Sequence, residues 1–370
     1  MVQRINKFIR KSFINYRGWN TNRKLLVIES DDWGSICLPD KKAYRNLLKK
    51  NIAVDKNRYN KFDTLERPID LENLFDVLSK YKDKNGNGAV FTAVGLVANP
   101  DIERVRENDF KKYFRKSIFD TYLEFGYQKE MEELWDEGIK GGFFYPQFHG
   151  REHLNPSRWL KAIQESPEEF ECFNQNGIPG SELGSVKYRA GFDYYDTFEK
   201  NDIEVNLEEG LRDFENIFGF ASLSFCASQS ICGDHINPIL FDNGVRFHQN
   251  GSQIIPHGEK NKKLVKNRFW GDQSKEGLTY WRRNANFEPS KPGNDWVSSC
   301  LWEINNAFMF KKPAVISSHR VNFMGGLDEK NRTNSLAELE RLLRSIVEKW
   351  PDVEFIHSET LGKIINNKDE

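Results

Sequence analysis

The stretch "LLVIESDDWGS", Leu25 to Ser35, decides how the rest of the chain is read. Four apolar residues of strand-forming type run directly into Glu29, Asp31 and Asp32. The apolar run has the length and composition of a buried parallel strand. Adjacent carboxylates repel each other and are costly where water is excluded, so water or a cation must reach the pair. In parallel α/β folds, functional groups collect just past the carboxyl ends of strands. If Leu25–Ile28 is such a strand, Asp31 and Asp32 stand where chemistry is done.

Working outward, similar runs recur. They are "GAVFTAVGLVA" (Gly88–Ala98), "GGFFYPQFH" (Gly141–His149), "SLSFCAS" (Ser222–Ser228), "VRFHQN" (Val245–Asn250), "LTYWRRN" (Leu278–Asn284), "PAVISSH" (Pro313–His319) and "DVEFIHS" (Asp352–Ser358). Amphipathic helical patterns separate several of them, most clearly Asp295–Phe310 and Ser335–Trp350. Apolar strands alternating with helices imply a parallel sheet covered on both faces. The expectation is an α/β protein, a distorted (β/α) barrel of seven to eight mostly parallel strands. The charged segment 99–137 reads as a helical insertion, and His257–Gly277 as a long polar loop. The division expected is a basic extension over 1–24 and one domain over 25–370.

Bulk properties narrow the functional classes. Lys and Arg number 54 against 55 Asp and Glu, net −1, so no overall charge favours nucleic acid. The five cysteines Cys37, Cys172, Cys226, Cys232 and Cys300 form no paired motif and read as reduced thiols. No signal-peptide pattern opens the chain, and the expected compartment is the cytoplasm. The first 24 residues carry Arg and Lys but no acid, with Ile5, Phe8, Ile9 and Phe13 at helical spacing. Weak peripheral membrane contact through this basic segment stands beside the simpler reading, a helix packed on the body.

Three strand ends carry groups suited to catalysis. The first ends in Asp31 and Asp32, the third leads into His149 and His153, and the seventh ends in His319. The His149/His153 spacing is i, i+4, which on a helical turn puts both imidazoles on one face toward one cation. Asp32 then supplies an anionic third ligand and leaves Asp31 free to act as a base. The competing reading is a capping acid and two surface histidines. "RRNANFEPS" (Arg282–Ser290) offers Arg282 or Arg283 to an anionic substrate group or to a structural ion pair.

With these residues in view, the chain resembles the polysaccharide deacetylase family, the NodB-like carbohydrate esterases. "ESDDWGS" is similar to that family's T-F-D-D-G motif, and "HGREH" to its H-S/T-x-x-H motif. "VISSHR" stands where the family places a late histidine. The resemblance implies Asp31 as base, His319 as acid, and Asp32, His149 and His153 as ligands of one divalent ion. Zinc is the first expectation, with manganese, cobalt and nickel as alternatives. It also implies removal of an acetyl group from an N-acetylated sugar or glycan precursor. Two departures stand out: Trp33 separates Asp32 from Gly34, and no Arg-Pro-aromatic motif follows the fourth strand. Arg189, Arg246 and Arg320 are the candidates to replace the missing arginine. Trp33, Trp270 and Tyr280 are candidate sugar-stacking rings, with core packing as the competing reading, and Arg320 joins the substrate-contact candidates. The alternatives carried forward are an inactive carbohydrate-binding relative and a metal-independent glycosidase.

Overall fold

The computed structural model describes residues 12–256 and 263–367. The helical spacing of Ile5, Phe8 and Ile9, and His257 of the polar loop, lie outside the described residues.

Nine parallel strands form one curled sheet. They are β1 (Lys24–Trp33), β2 (Phe91–Leu96), β3 (Phe144–Gly150), β4 (Ser224–Phe225), β5 (Phe247–His248), β6 (Thr279–Tyr280), β7 (Ala285–Asn286), β8 (Ala314–His319) and β9 (Val353–Phe355). Around the sheet the order is β6-β5-β4-β3-β2-β1-β8-β7, with β9 beside the start of β1. This is the cyclic order of a (β/α) barrel, opened between β6 and β7. Trp281–Asn284 span that seam. The Trp281 N–H donates to the His248 carbonyl at 3.3 Å, and three residues later the Asn284 N–H donates to Val315 at 3.0 Å. The chain thus leaves one neighbour and joins the other within four residues.

Side chains alternate across β1. Leu26 and Ile28 face outward, into a core shared with Leu71 and Leu74 of α1 (Pro68–Lys80), Trp135 of α2 (Gln128–Gly141), and Leu339 and Leu343 of α3 (Glu329–Lys349). Leu25 and Val27 face inward, against Phe247, Trp281 and Val315. Glu29 and Asp31 continue the inward series, which brings them up the barrel toward its carboxyl end.

Asp32 breaks the alternation. Its φ of 79° lies in the left-handed region, and the β1–β2 register shifts between Asp31 and Trp33. It is the extra residue of a bulge, so the parity changes after it. Trp33, not Asp32, rejoins the outward core, edge-on to Phe144 with ring centroids 4.9 Å apart. Asp32 is freed to turn toward the barrel mouth beside Asp31. This is how two adjacent acids reach one site.

The stretch 99–137 holds the short strand Arg115–Ser117, paired with Ala98–Pro100, two short helices, and most of α2. Helix α2 packs Met131, Leu134 and Trp135 into the main core, as a crossover helix between β2 and β3 does. No helix among the described residues is long and apolar enough to cross a membrane. All five cysteines are buried free thiols.

Candidate metal centre

Asp32 Oδ1 stands 3.5 Å from His149 Nε2 and 3.3 Å from His153 Nε2. The two histidines do not share a helical turn. His149 ends β3 on its inward face, and His153 follows in an irregular loop. They converge because the strand end and the loop fold back on the same bulge. His149 Nδ1 donates to the Cys226 carbonyl at 2.7 Å, which fixes the ring and turns Nε2 toward Asp32. Burial would lower this imidazole, but its bonds to Asp32 and Cys226 raise it well above the usual range, so Nε2 carries a proton that a cation would displace. His153 Nδ1 is buried without a hydrogen-bond partner.

These three atoms fit a cation. Ligands about 2.0–2.1 Å from a tetrahedral ion stand about 3.3 Å apart, close to the 3.5 and 3.3 Å that separate Asp32 from the two histidines. Two imidazoles and one carboxylate, which leave coordination positions unfilled by protein, are a donor set for zinc and its neighbours. Burial would raise the Asp32 carboxyl, but the hydrogen bond from His149 and the charges of His149 and His319 outweigh it and hold it well below the usual range. Burial, with Arg189 and His149 close by, drives His153 down to about 3, so it is neutral and able to ligate. A second cluster, Asp31, His149 and Cys226, also lies within ligand reach. It fits less well, because burial pushes the Cys226 thiol up and Arg283 already occupies Asp31.

Arg283 grips Asp31 with Nη1 at 2.5 Å and Nη2 at 2.8 Å, and reaches Glu29 with Nε at 2.5 Å. Glu29 is fully buried and also accepts from Trp281 at 2.9 Å and Ser358 at 2.8 Å. Burial alone would raise the Asp31 carboxyl, but Arg283 outweighs it, and Asp31 stays ionised. None of Arg189, Arg246 and Arg320 does this. The arginine comes from the seam, next to the "RRNANFEPS" stretch's other basic residue.

His319 is the register partner of Asp31 on β8, with Nε2 3.9 Å from Asp31 Oδ2. Its Nδ1 meets Glu288 Oε1 at 2.5 Å, and Arg58 holds the other Glu288 oxygen at 2.7 Å. Burial would depress the imidazole, but Glu288 outweighs it and raises it to about 9. His319 is therefore a cation at neutral pH, with a proton on Nε2 facing the site. A cavity of about 850 Å³ opens beside the seam and is lined by Asp31, Cys226, Asn250, Arg283, Ser317 and His319.

Four expected substrate contacts are buried elsewhere. Trp33 is in the outward core at 0% exposure, because the bulge reverses its direction. Trp270 packs with Leu25, Val27 and Leu361, and its indole N–H donates to the Ile14 carbonyl. Tyr280 stacks on His248. Arg320 is wholly buried between Asp63 and Glu66, and donates to the Ser35 carbonyl at 2.7 Å, bracing the turn after β1. Two further residues complete the site: Arg283, which takes the structural ion pair offered for Arg282 or Arg283, and Glu288, which sequence reasoning left unassigned. The signal for both was five residues apart in "RRNANFEPS", at the end of the sixth expected strand.

No protein-family model matches the chain, and no curated protein matches it. Among solved structures, it is similar to a protein assigned to the polysaccharide deacetylases from Mycobacterium smegmatis (12% identity, 95% of this chain and 93% of that one, TM-score 0.42). It is also similar to PuuE allantoinase (9%, 95% and 93%, TM-score 0.43). A third is peptidoglycan deacetylase PdaC from Bacillus subtilis (10%, 94% and 94%, TM-score 0.32). Likeness at this distance concerns the path of the chain and says nothing of its chemistry.

Proposed function

We propose that this chain is a metal-dependent hydrolase that removes an acetyl group from an N-acetylated sugar or glycan precursor. One observation carries the reading. A cation-fitting trio, an arginine-held carboxylate and a glutamate-held histidine meet at one barrel mouth, with Asp31 and His319 3.9 Å apart.

Asp32, His149 and His153 would hold the ion. When bound, a divalent ion supplies Lewis-acid polarisation of the acyl oxygen and acidifies water. Asp31 takes a proton from the attacking water at its carboxylate. Arg283 keeps that carboxylate ionised and aimed, the role of the arginine absent from the sequence motif. His319 gives its Nε2 proton to the leaving nitrogen or oxygen, and Glu288 keeps Nδ1 occupied so that Nε2 is the donor. Base and acid each contribute about 10²–10⁴-fold.

A metal-independent glycosidase needs a protonated carboxylic acid at the site. Here Asp31, Asp32 and Glu288 are all held below the usual range by cationic partners, which disfavours it. The missing motif had favoured an inactive relative, and Arg283 removes that reason. The test is acetate release from N-acetylglucosamine oligomers by metal-loaded protein, beside chelated protein. No release with any divalent ion tried would overturn the proposal.

A further inference from the structure

Arg189 is 5% exposed, its Nε is buried without a hydrogen-bond partner, and no carboxylate among the described residues lies within ion-pairing distance. It stands in the irregular stretch 175–196, near Asp32, His153 and Cys37. The backbone around it is pinned. The Tyr188 carbonyl accepts from Asn155 at 2.7 Å, the Arg189 N–H donates to Glu182 at 2.9 Å, and Gly191 donates to Ser228 at 2.9 Å. Asp32 is engaged by two histidines, and Glu182 by two backbone N–H groups.

A guanidinium cannot shed its proton, and burying it without a counter-charge is costly. Two other buried arginines have carboxylate partners: Arg283 in the site has Asp31 and Glu29, and Arg320 behind it has Asp63 and Glu66. Burial disfavours the Arg189 charge, but Cys37, Tyr188, Asp32 and Glu182 through space outweigh it, so the guanidinium is kept charged. No protein group accepts from its Nε, and that buried donor stays open beside the candidate metal centre.

We propose that Arg189 is a substrate-binding residue that takes an oxyanion group, carboxylate or phosphate, so that the preferred substrate is an anionic N-acylated sugar. The acyl group in this statement rests on the proposed deacetylase reading, but the anion site does not. A planar guanidinium reads two oxygens of either group side by side. A standing charge in the resting protein matches a standing anion better than one that forms only in passing.

The test is calorimetric binding to the full chain of N-acetylglucosamine, its 1-phosphate, and N-acetylmuramic acid, which carries a carboxylate. Wild type and Arg189→Gln are compared, with melting temperatures in chloride, acetate and phosphate. At least one charged sugar should bind wild type about tenfold or more tighter than the neutral one, the usual worth of a charge-assisted pair. That preference should fall to within about twofold in Arg189→Gln. Whichever charged sugar wins identifies the anion. Equal binding of all three sugars by wild type, or the same preference in Arg189→Gln, overturns the proposal. If no sugar binds, a rise in wild-type melting temperature with phosphate or acetate that Arg189→Gln lacks supports the site, and its absence overturns it. Anion preference without acetate release would keep this inference and reject the deacetylase. Equal acetate release from neutral and charged sugars would do the reverse.

Discussion

Arg283 holds Asp31 by two hydrogen bonds, of 2.5 and 2.8 Å, although 252 positions separate them in the chain. The contact exists because the seam delivers residue 283 to the mouth at the height where β1 ends. Arg283→Met would leave two buried carboxylates, Asp31 and Glu29, without their cation. Losing one partner of a buried pair costs about 3–5 kcal/mol, so the melting temperature should fall clearly. Activity should fall at least about a hundredfold. Asp31 has its pKa depressed by Arg283, so its share of stability is present above the unfolded value and is lost as pH falls through the folded one. In Arg283→Lys, which folds more readily, the acid limb of the rate profile should therefore move to higher pH. A limb that stays in place would separate Arg283 from Asp31 ionisation.

The division of labour between the adjacent acids predicts different failures. Asp32→Ala, His149→Ala and His153→Ala should each lose the metal, read by elemental analysis of protein purified without added ion. Asp31→Asn should keep it and lose turnover by about 10²–10⁴-fold. Full metal content in all three alanine variants would dismiss the ligand assignment.

His319 sets the alkaline side. Its pKa, raised to about 9 from 6.5, means the charged form is favoured in the fold. That contribution to stability is complete below 6.5 and is lost as pH rises through about 9. Turnover should decline through the same upper range, as the Nε2 proton leaves. Glu288→Gln removes the charge that raises it, so the alkaline limb should slide toward 6.5. An unchanged limb would show that His319 is not the acid.

Trp33 offers a test of core against substrate contact. Trp33→Phe should lower the melting temperature through lost packing on Phe144 and the lost indole bond to Ser30, 3.1 Å long. KM for any acetylated sugar should change less than about twofold, since a ring outside the mouth adds no substrate binding. A large rise in KM with unchanged stability would return Trp33 to the substrate.

Asp32 itself carries the bulge. At φ 79° a β-branched residue is strongly disfavoured, while Asn tolerates that region. Asp32→Val should lose about 1–3 kcal/mol more stability than Asp32→Asn. Equal melting temperatures for the two would argue against the left-handed backbone.

Local pattern determined a good deal. The apolar run Leu25–Ile28, its acids, and the alternation of strands with helices were enough for a parallel barrel with Asp31, Asp32, His149, His153 and His319 at strand ends. Those features depend on period and order along the chain, which hydrophobic burial writes directly into sequence. Tertiary structure decided the rest. The spacing of His149 and His153 suggested a helical turn, yet a strand end and a loop supply the convergence. Trp33 points into the core because one bulge shifts parity, and an aspartate at positive φ leaves no glycine to announce it. Arg283 and Glu288 find Asp31 and His319 through the closure and register of the barrel. Partner choice across a closed sheet depends on where distant strands stop relative to one another, and no local period encodes that height.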